Sequence, residues 1–201
     1  MRIISGTSKG RRLTTPKGQG VRPTSDRVKE SIFNILGEKV EGKIVLDLFA
    51  GTGNLGIEAL SRGATRSLFV EKGRQAIRLI QKNLSQCGLE GQSEIIPRDV
   101  IRGIGILKQR GESFDLIFID PPYEKGLIAR TLEKLDSHKI YHEDSILVIE
   151  HDRREPLPGI IFGWNLIRQR GIGDTVISFL TPRLSAPPAQ PSDEQESHRW
   201  K

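Results

Sequence analysis

The fold is decided by the stretch Lys43-Ile44-Val45-Leu46-Asp47-Leu48-Phe49-Ala50-Gly51-Thr52-Gly53-Asn54-Leu55-Gly56. Its first half is an apolar run typical of a buried strand, and residues 57–62 continue it with a helical pattern. The three glycines fit the G-x-G-x-x-G spacing, which permits a tight turn and a close approach between backbone and ligand. That spacing is weak evidence alone, but here a strand precedes it and a helix follows. The stretch therefore predicts a ligand-binding βα unit of an open α/β sheet.

Downstream of this unit, strand-like and helix-like segments alternate. Apolar runs predict strands at 67–71, 93–99, 114–119 and 145–150, and helical periodicity predicts helices at 73–87, 100–110 and 126–135. Two short β runs follow at 165–170 and 175–180, and the glycine-containing connection between them favours an antiparallel hairpin. This order predicts an α/β fold with a doubly wound, mostly parallel seven-stranded sheet and an antiparallel C-terminal hairpin.

Upstream, residues 23–36 predict an amphipathic helix, because apolar residues recur at helical spacing and either Thr24 or Ser25 can serve as the N-cap. We expect three charged residues on or beside its polar face, where they either line a site or are solvated: Arg27, Lys29 and Glu30.

The strand at 114–119 runs into the second informative motif, Asp120-Pro121-Pro122-Tyr123. Two prolines end a strand ladder and stiffen the backbone, so a rigid turn alone would explain them. In an open α/β sheet, however, ligands bind beyond the carboxyl ends of the strands. Asp120 and the Pro121 carbonyl can accept the two N–H groups of an exocyclic base amine, and Tyr123 can stack on the base. A base inside a duplex cannot reach such a pocket, so the target must be unpaired or flipped out.

Acidic residues end two other predicted strands. Glu71 lies 20 residues after Gly51, where a carboxylate accepts hydrogen bonds from ribose hydroxyls. Asp99 either binds an adenine amino group or caps the following helix, and the sequence leaves both roles open.

Two enzyme classes use such a glycine loop and acidic residue. A nicotinamide dehydrogenase would commonly add a catalytic histidine, and the histidines at 138, 142, 151 and 198 give no such pattern. A methyltransferase that uses S-adenosylmethionine also needs a site at the end of the fourth strand, where Asp120 stands, and is favoured. His138 and His142 would share a helical face, but no third ligand is evident, so no metal is predicted.

The net charge of +6 is concentrated at the N-terminus. Residues 1–43 hold 10 Lys/Arg and 4 Asp/Glu, and the rest of the chain holds 21 of each. We therefore predict a basic arm or β-hairpin at 1–22, a catalytic domain at 23–184 and a disordered tail at 185–201. Basic side chains on the arm would neutralise the phosphates of a nucleic acid: Lys9, Arg11, Arg12, Lys17 and Arg22.

The expected cellular compartment and oligomeric state are inferred from composition. No apolar stretch approaches membrane-spanning length, and a single Cys87 cannot form an internal disulfide. We expect a cytoplasmic protein with no membrane partner, and a monomer.

Taken together, these motifs resemble the RsmD family of bacterial 16S rRNA guanine-N2 methyltransferases. The resemblance covers about residues 2–180 and is most specific at 21–36, with further matches at 46–53 and 120–123. It implies a Rossmann-like class I methyltransferase fold, S-adenosylmethionine as donor, and 16S rRNA or the assembling small ribosomal subunit as partner. Relatives often carry an aromatic residue where this chain has Ile172.

The resemblance also implies site residues. Those implied for catalysis are Asp120, Pro121, Pro122 and Tyr123, and those implied for the cofactor are Thr24, Asp47, Phe49, Ala50, Gly51, Gly53, Glu71, Asp99 and Val100.

Two other functions remain open on the sequence. A DNA amino-methyltransferase acting on adenine N6 or cytosine N4 can use the same tetrapeptide, although 201 residues leave no room for a separate target-recognition domain. A non-catalytic RNA-binding module could also have kept this fold.

Overall fold

The computed structural model describes residues 1–16, 25–122 and 126–183. Its helices are α1 (Asp26–Leu36), α2 (Asn54–Ser61), α3 (Arg74–Cys87), α4 (Val100–Gln109) and α5 (Leu127–His138). Its strands are β1 (Ile44–Leu48), β2 (Arg66–Val70), β3 (Ser93–Ile96), β4 (Phe114–Ile119), β5 (Tyr141–Asp152), β6 (Trp164–Ile172) and β7 (Thr175–Pro182). Within these described ranges, no helix is long and apolar enough to cross a membrane.

The seven strands form one sheet in the order β3-β2-β1-β4-β5-β7-β6. The first five pair in parallel, while β7 runs antiparallel between β5 and β6. The predicted seven-stranded, mostly parallel sheet with an antiparallel C-terminal hairpin is confirmed. The inserted antiparallel strand distinguishes this Rossmann-like sheet from the 3-2-1-4-5-6 order of dinucleotide-binding domains.

Several element boundaries differ from the predicted ones. Strand β5 begins at Tyr141 rather than at 145, and its first residues are polar and exposed, so no apolar run marks them. Helix α2 begins at Asn54 rather than at 57, because Gly53 adopts a left-handed conformation (φ 77°) that ends the loop early. Strand β3 ends at Ile96, since Pro97 cannot donate to the ladder.

The sheet separates two apolar cores. Alternate strand residues face opposite sides, so Val45 and Phe118 face α1, α2 and α3, whereas Leu46 and Ile117 face α4 and α5. On the side covered by α1, α2 and α3, helix α1 contributes four buried apolar residues: Val28, Ile32, Phe33 and Leu36. This double cover explains why the central strands are apolar along their whole length.

Residues 1–16 lie against the first core. Ile3 and Leu13 are buried in it, and the only β pairing in this segment is a single antiparallel bridge between Arg2 and Arg12. Backbone hydrogen bonds also join the two ends of this segment: Ile3 N donates to Arg11 O, Gly10 N to Ile3 O and Leu13 N to Met1 O. The pairing is therefore a short hairpin, and Gly6, which has a positive φ, lies in its connection against α2. Some predicted features lie outside the described residues: Lys17, Arg22, Thr24, Tyr123 and the tail at 185–201.

Candidate active site

The two sequence motifs meet at one edge of the sheet. Strands β1 and β4 are parallel neighbours, and Leu48 pairs with Ile119. The glycine loop that follows β1 and the Asp120 segment that follows β4 therefore emerge side by side. Both line one cavity of about 750 Å³. Its lining includes Asp47, Phe49, Ala50, Gly51, Glu71, Asp99, Val100, Asp120, Pro121 and Pro122.

The glycine loop has an unusual backbone path. Phe49 has a φ of 60°, which costs a non-glycine residue free energy, and Gly51 follows with a φ of 55°. Gly53 faces inward, where a Cβ atom would lie 3.1 Å from Ile57, and it does not line the cavity. Gly53 therefore allows the turn to pack closely against Ile57, whereas Gly51 lines the cavity.

A buried carboxyl group supports the loop from below. Asp47 is 2% exposed, and its Oδ2 accepts a hydrogen bond of 2.9 Å from the Gly56 amide. Burial raises the pKa of Asp47 well above its ordinary value, and the nearby charges of Asp120 and Glu71 raise it further, against the Gly56 hydrogen bond. Three acidic side chains thus converge at the carboxyl ends of β1, β2 and β4.

Glu71 bridges the end of β2 to the glycine loop. Its Oε2 accepts from the Gly51 amide at 2.9 Å and its Oε1 from the Gly73 amide at 2.7 Å. These two bonds fix the carboxylate, and each oxygen keeps a further lone pair for a ligand hydroxyl.

Asp99 caps helix α4. Its Oδ1 accepts from the Arg102 amide at 3.1 Å, so the capping role is present, and the residue lines the cavity as well. The other carboxylate oxygen, Oδ2, lies 3.5 Å from Arg102 Nε and keeps a further lone pair for a ligand.

Two polar residues beside the cavity, Lys29 and Asn54, have contacts that the sequence did not predict. Of the two alternatives for Lys29, lining a site or being solvated, solvation is wrong, because the residue is fully buried. Its Nζ donates to Asn54 Oδ1 at 2.7 Å and lies 3.1 Å from Glu58 Oε2. Burial lowers the pKa of Lys29, and the Glu58 carboxylate opposes this. Because Glu58 belongs to another helix, helical periodicity gave no sign of the pair.

Asn54 lines the cavity and is 5% exposed. While its Oδ1 is held by Lys29, its Nδ2 is buried and has no hydrogen-bond partner among the described residues. A buried amide donor without a partner is costly, so a bound acceptor would stabilise this side of the cavity.

The basic arm carries exposed charges on the first-core side of the sheet. Lys9, Arg11 and Arg12 are all exposed, but Arg11 folds back so that its Nη1 donates to the Gln86 carbonyl. The arm is tied to the glycine loop by Asn83, whose Nδ2 donates to Thr52 O at 2.9 Å and whose Oδ1 accepts from Thr14 N at 2.7 Å.

Comparisons with known proteins agree on one group of relatives. The family model described as "Conserved hypothetical protein 95" matches residues 1–181. YlbH of Bacillus subtilis (strain 168) is 39% identical over 183 residues, covering 91% of this chain and 100% of that protein. Ribosomal RNA small subunit methyltransferase D of Escherichia coli (strain K12) is 33% identical over 173 residues, covering 86% and 85%. The solved structure of yhhF from Escherichia coli matches with a TM-score of 0.80 at 29% identity, covering 92% of this chain and 99% of that one.

Proposed function

Because the chain belongs to the RsmD family of ribosomal RNA methyltransferases, we propose that it transfers a methyl group from S-adenosylmethionine to the N2 amino group of a guanine in 16S rRNA. The observation that carries this proposal is the single cavity shared by the glycine loop and the Asp120 segment. A donor held at one strand end and an acceptor held at the next would lie within reach of each other.

The residues of the cavity fit the donor. Glu71 can accept hydrogen bonds from ribose hydroxyls, and Asp99 keeps an acceptor for the adenine amino group. Val70, Val100 and Ile101 supply an apolar wall for the adenine ring. The unpartnered Nδ2 of Asn54 suits an acceptor such as a carboxylate. When bound, S-adenosylmethionine supplies an electrophilic methyl group on a sulfonium.

The Asp120 segment would bind and orient the base amine that receives the methyl group. An exocyclic amine is a poor nucleophile because its lone pair is delocalised into the base. Asp120 and the Pro121 carbonyl would accept its two N–H groups and so aim the nitrogen lone pair at the methyl carbon. As the N–C bond forms and the C–S bond breaks, the nitrogen loses a proton, for which Asp120 is the acceptor. Such orientation can remove on the order of 7–11 kcal/mol of barrier.

The substrate is proposed to be RNA, reached in part through the basic arm. Exposed Lys9 and Arg12 would contact phosphates and give salt-sensitive affinity without sequence preference. Tyr123, which lies outside the described residues, is proposed to stack on the target base, a contact worth about 1–3 kcal/mol.

The direct test is transfer of a labelled methyl group. The purified protein is mixed with labelled S-adenosylmethionine and either 16S rRNA, small subunits or genomic DNA, and the modified nucleotide is identified by mass spectrometry. We expect N2-methylguanine in rRNA. Labelled adenine or cytosine in DNA would instead indicate the DNA amino-methyltransferase, and absence of S-adenosylmethionine binding would indicate a non-catalytic module.

The first prediction is that Asp120→Ala lowers kcat by about 10²–10⁴, because the amine loses both its orienting acceptor and its proton acceptor. Affinity for S-adenosylmethionine, measured by calorimetry, should stay close to that of the unmodified protein. Asp144→Ala is the matched control, since Asp144 is an exposed carboxylate at the opposite edge of the sheet. Full activity in Asp120→Ala would refute the assignment.

A further inference from the structure

A second groove, of about 500 Å³, lies between helix α1 and the β6–β7 hairpin. Three arginines line it: Arg27 from the first turn of α1, and Arg168 and Arg170 from β6. All three are exposed. The remaining lining residues include Glu30, Ser31, Asn34 and Gly173. The groove shares no lining residue with the active-site cavity.

A register shift directs the β6 arginines into this groove. Leu166 pairs with Leu180, on the side of the sheet covered by α4 and α5. The register then shifts between Leu166 and Arg168, and Arg168 pairs with Phe179, whose side chain belongs to the core on the α1 side. Because directly opposed residues share a face, the shift places Arg168 on the side of the sheet that carries α1. Arg170, two residues on, shares that face.

The positive charge of the groove is not neutralised internally. Among the described residues, no carboxylate lies within 4.0 Å of the guanidinium nitrogens of Arg27, Arg168 or Arg170, even though Glu30 lines the same groove. Three like charges around one groove repel each other, and an anionic ligand would relieve that repulsion. The planar guanidinium groups match the oxygens of a phosphate.

The groove opens at the same edge of the sheet as the active site. Asp152 at the end of β5 pairs with Thr175 at the start of β7, and Thr175 also pairs with Ile172 at the end of β6. The hairpin turn therefore lies beyond the carboxyl ends of the parallel strands, where Asp120 follows β4. Strands β4 and β6 are three positions apart in the sheet, which is roughly 14 Å at the usual strand spacing.

We propose that this groove binds the phosphate backbone of the RNA strand that carries the target guanine, a few nucleotides from the base held at Asp120. The inference rests on the proposed function, because the polyanion that must reach this edge is the substrate itself. Together with the arm, the groove provides a second electrostatic contact, one that lies beyond β5 on the far side of the active site from the glycine loop.

The test compares two paired variants in the full chain. Arg168→Gln/Arg170→Gln removes two groove charges, while Lys108→Gln/Lys134→Gln removes two charges from α4 and α5 on the other face of the sheet. RNA affinity is measured at several salt concentrations, together with KM for rRNA, kcat and affinity for S-adenosylmethionine. Unfolding midpoints of all proteins confirm that they are folded.

For the groove variant we expect RNA affinity at low salt to fall roughly tenfold and the salt slope to fall by roughly 1.4, as for two lost phosphate contacts on a single strand. KM for rRNA should rise, with kcat and S-adenosylmethionine affinity unchanged, and the control variant should match the unmodified protein. An unchanged salt slope in the groove variant would refute the inference even if the unmodified protein methylates rRNA.

Two further outcomes separate the possibilities. Lost activity on small subunits with unchanged affinity for naked rRNA would also refute the inference and indicate an acidic protein ligand. If the unmodified protein transfers no methyl group to rRNA but the groove variant still loses RNA affinity and salt slope, the proposed function fails while the groove remains an RNA site.

Discussion

Asp47 has surroundings very different from those of an ordinary, solvated carboxyl group. It is held beneath the glycine loop, almost without solvent, and accepts the Gly56 amide. Its raised pKa means that the folded state binds the proton more tightly than the unfolded chain does. Its contribution to stability is therefore fully present below about pH 4 and is lost as the pH rises toward the raised value.

Replacing this carboxyl group with an amide should remove that pH dependence. Asp47→Asn keeps an acceptor for Gly56 N–H but cannot ionise, so the free energy of unfolding of the variant should increase relative to that of the unmodified protein, meaning greater relative stability, as the pH is raised from about 4 to about 7. Urea unfolding at several pH values measures it. Asp47→Ala serves for comparison, because it also cannot ionise but loses the acceptor for the Gly56 amide, so it should be less stable than Asp47→Asn by about 1–3 kcal/mol at every pH. A constant difference between Asp47→Asn and the unmodified protein would contradict the raised pKa.

At the scale of elements, α4 is held close to β2 by a glycine. A Cβ atom added at Gly103 would lie 2.5 Å from Val70 Cγ1, whereas one added at Gly105 would meet nothing within 4 Å. Both glycines lie in the same helix and have the same helical backbone, but because they are two residues apart they point in different directions. Val70 also lines the cavity of the candidate active site, so its contact with α4 fixes one wall of that cavity.

The two glycines of α4 should therefore respond oppositely to alanine. Gly103→Ala is expected to lower the free energy of unfolding by about 1–3 kcal/mol, because the stiff, buried Val70 must move. Gly105→Ala should raise it by up to about 1 kcal/mol, since alanine favours helix and the space is open. Denaturant unfolding of the two single variants measures both values. Equal effects in the two variants would show that Val70 does not limit the approach of α4.

At the scale of the whole molecule, one buried ion pair between α1 and α2 also holds residues 2–5 of the N-terminal segment. Lys29 of α1 and Glu58 of α2 are both fully buried, and Glu58 also pairs with Arg62 at 2.8 Å. The same carboxylate accepts from the amides of Ile4 and Ser5. Lys29 donates in turn to the Arg2 carbonyl at 2.5 Å. Three separate parts of the chain thus share one set of buried charges.

Removing Lys29 or Glu58 should weaken the attachment of residues 2–5 as well as the packing of α1 against α2. Lys29→Met leaves the buried Glu58 carboxylate without its closest buried cation and is expected to cost about 3–5 kcal/mol. Hydrogen exchange at the Ile4 and Ser5 amides should accelerate. Combining it with Glu58→Gln should cost much less than the sum of the single changes, because the two side chains interact directly.

The control for this cycle is Lys39→Met, an exposed lysine whose replacement should stay within about 0.5 kcal/mol. If the changes in the free energy of unfolding caused by Lys29→Met and Glu58→Gln are additive in the double variant, the two side chains do not interact energetically.

The local pattern of the sequence determined the fold and the main parts of the site. Apolar runs and helical periodicity depend on neighbours within a few residues, which is why β4 was predicted at its observed bounds and why the doubly wound sheet followed. Because parallel strands end at the same edge of a sheet, the meeting of Gly51 and Asp120 also followed from their places after β1 and β4.

Only the tertiary structure decided which charges are buried and which are exposed. Lys29 became a buried partner of Glu58 because two helices, 29 positions apart at these residues, pack on the same face of the sheet. Arg168 and Arg170 lie on the α1 side of the sheet because one register shift in β6 changes the alternation of side chains that a regular strand would give. Both depend on contacts between residues distant in the chain, and periodicity within a single element carries no information about such contacts.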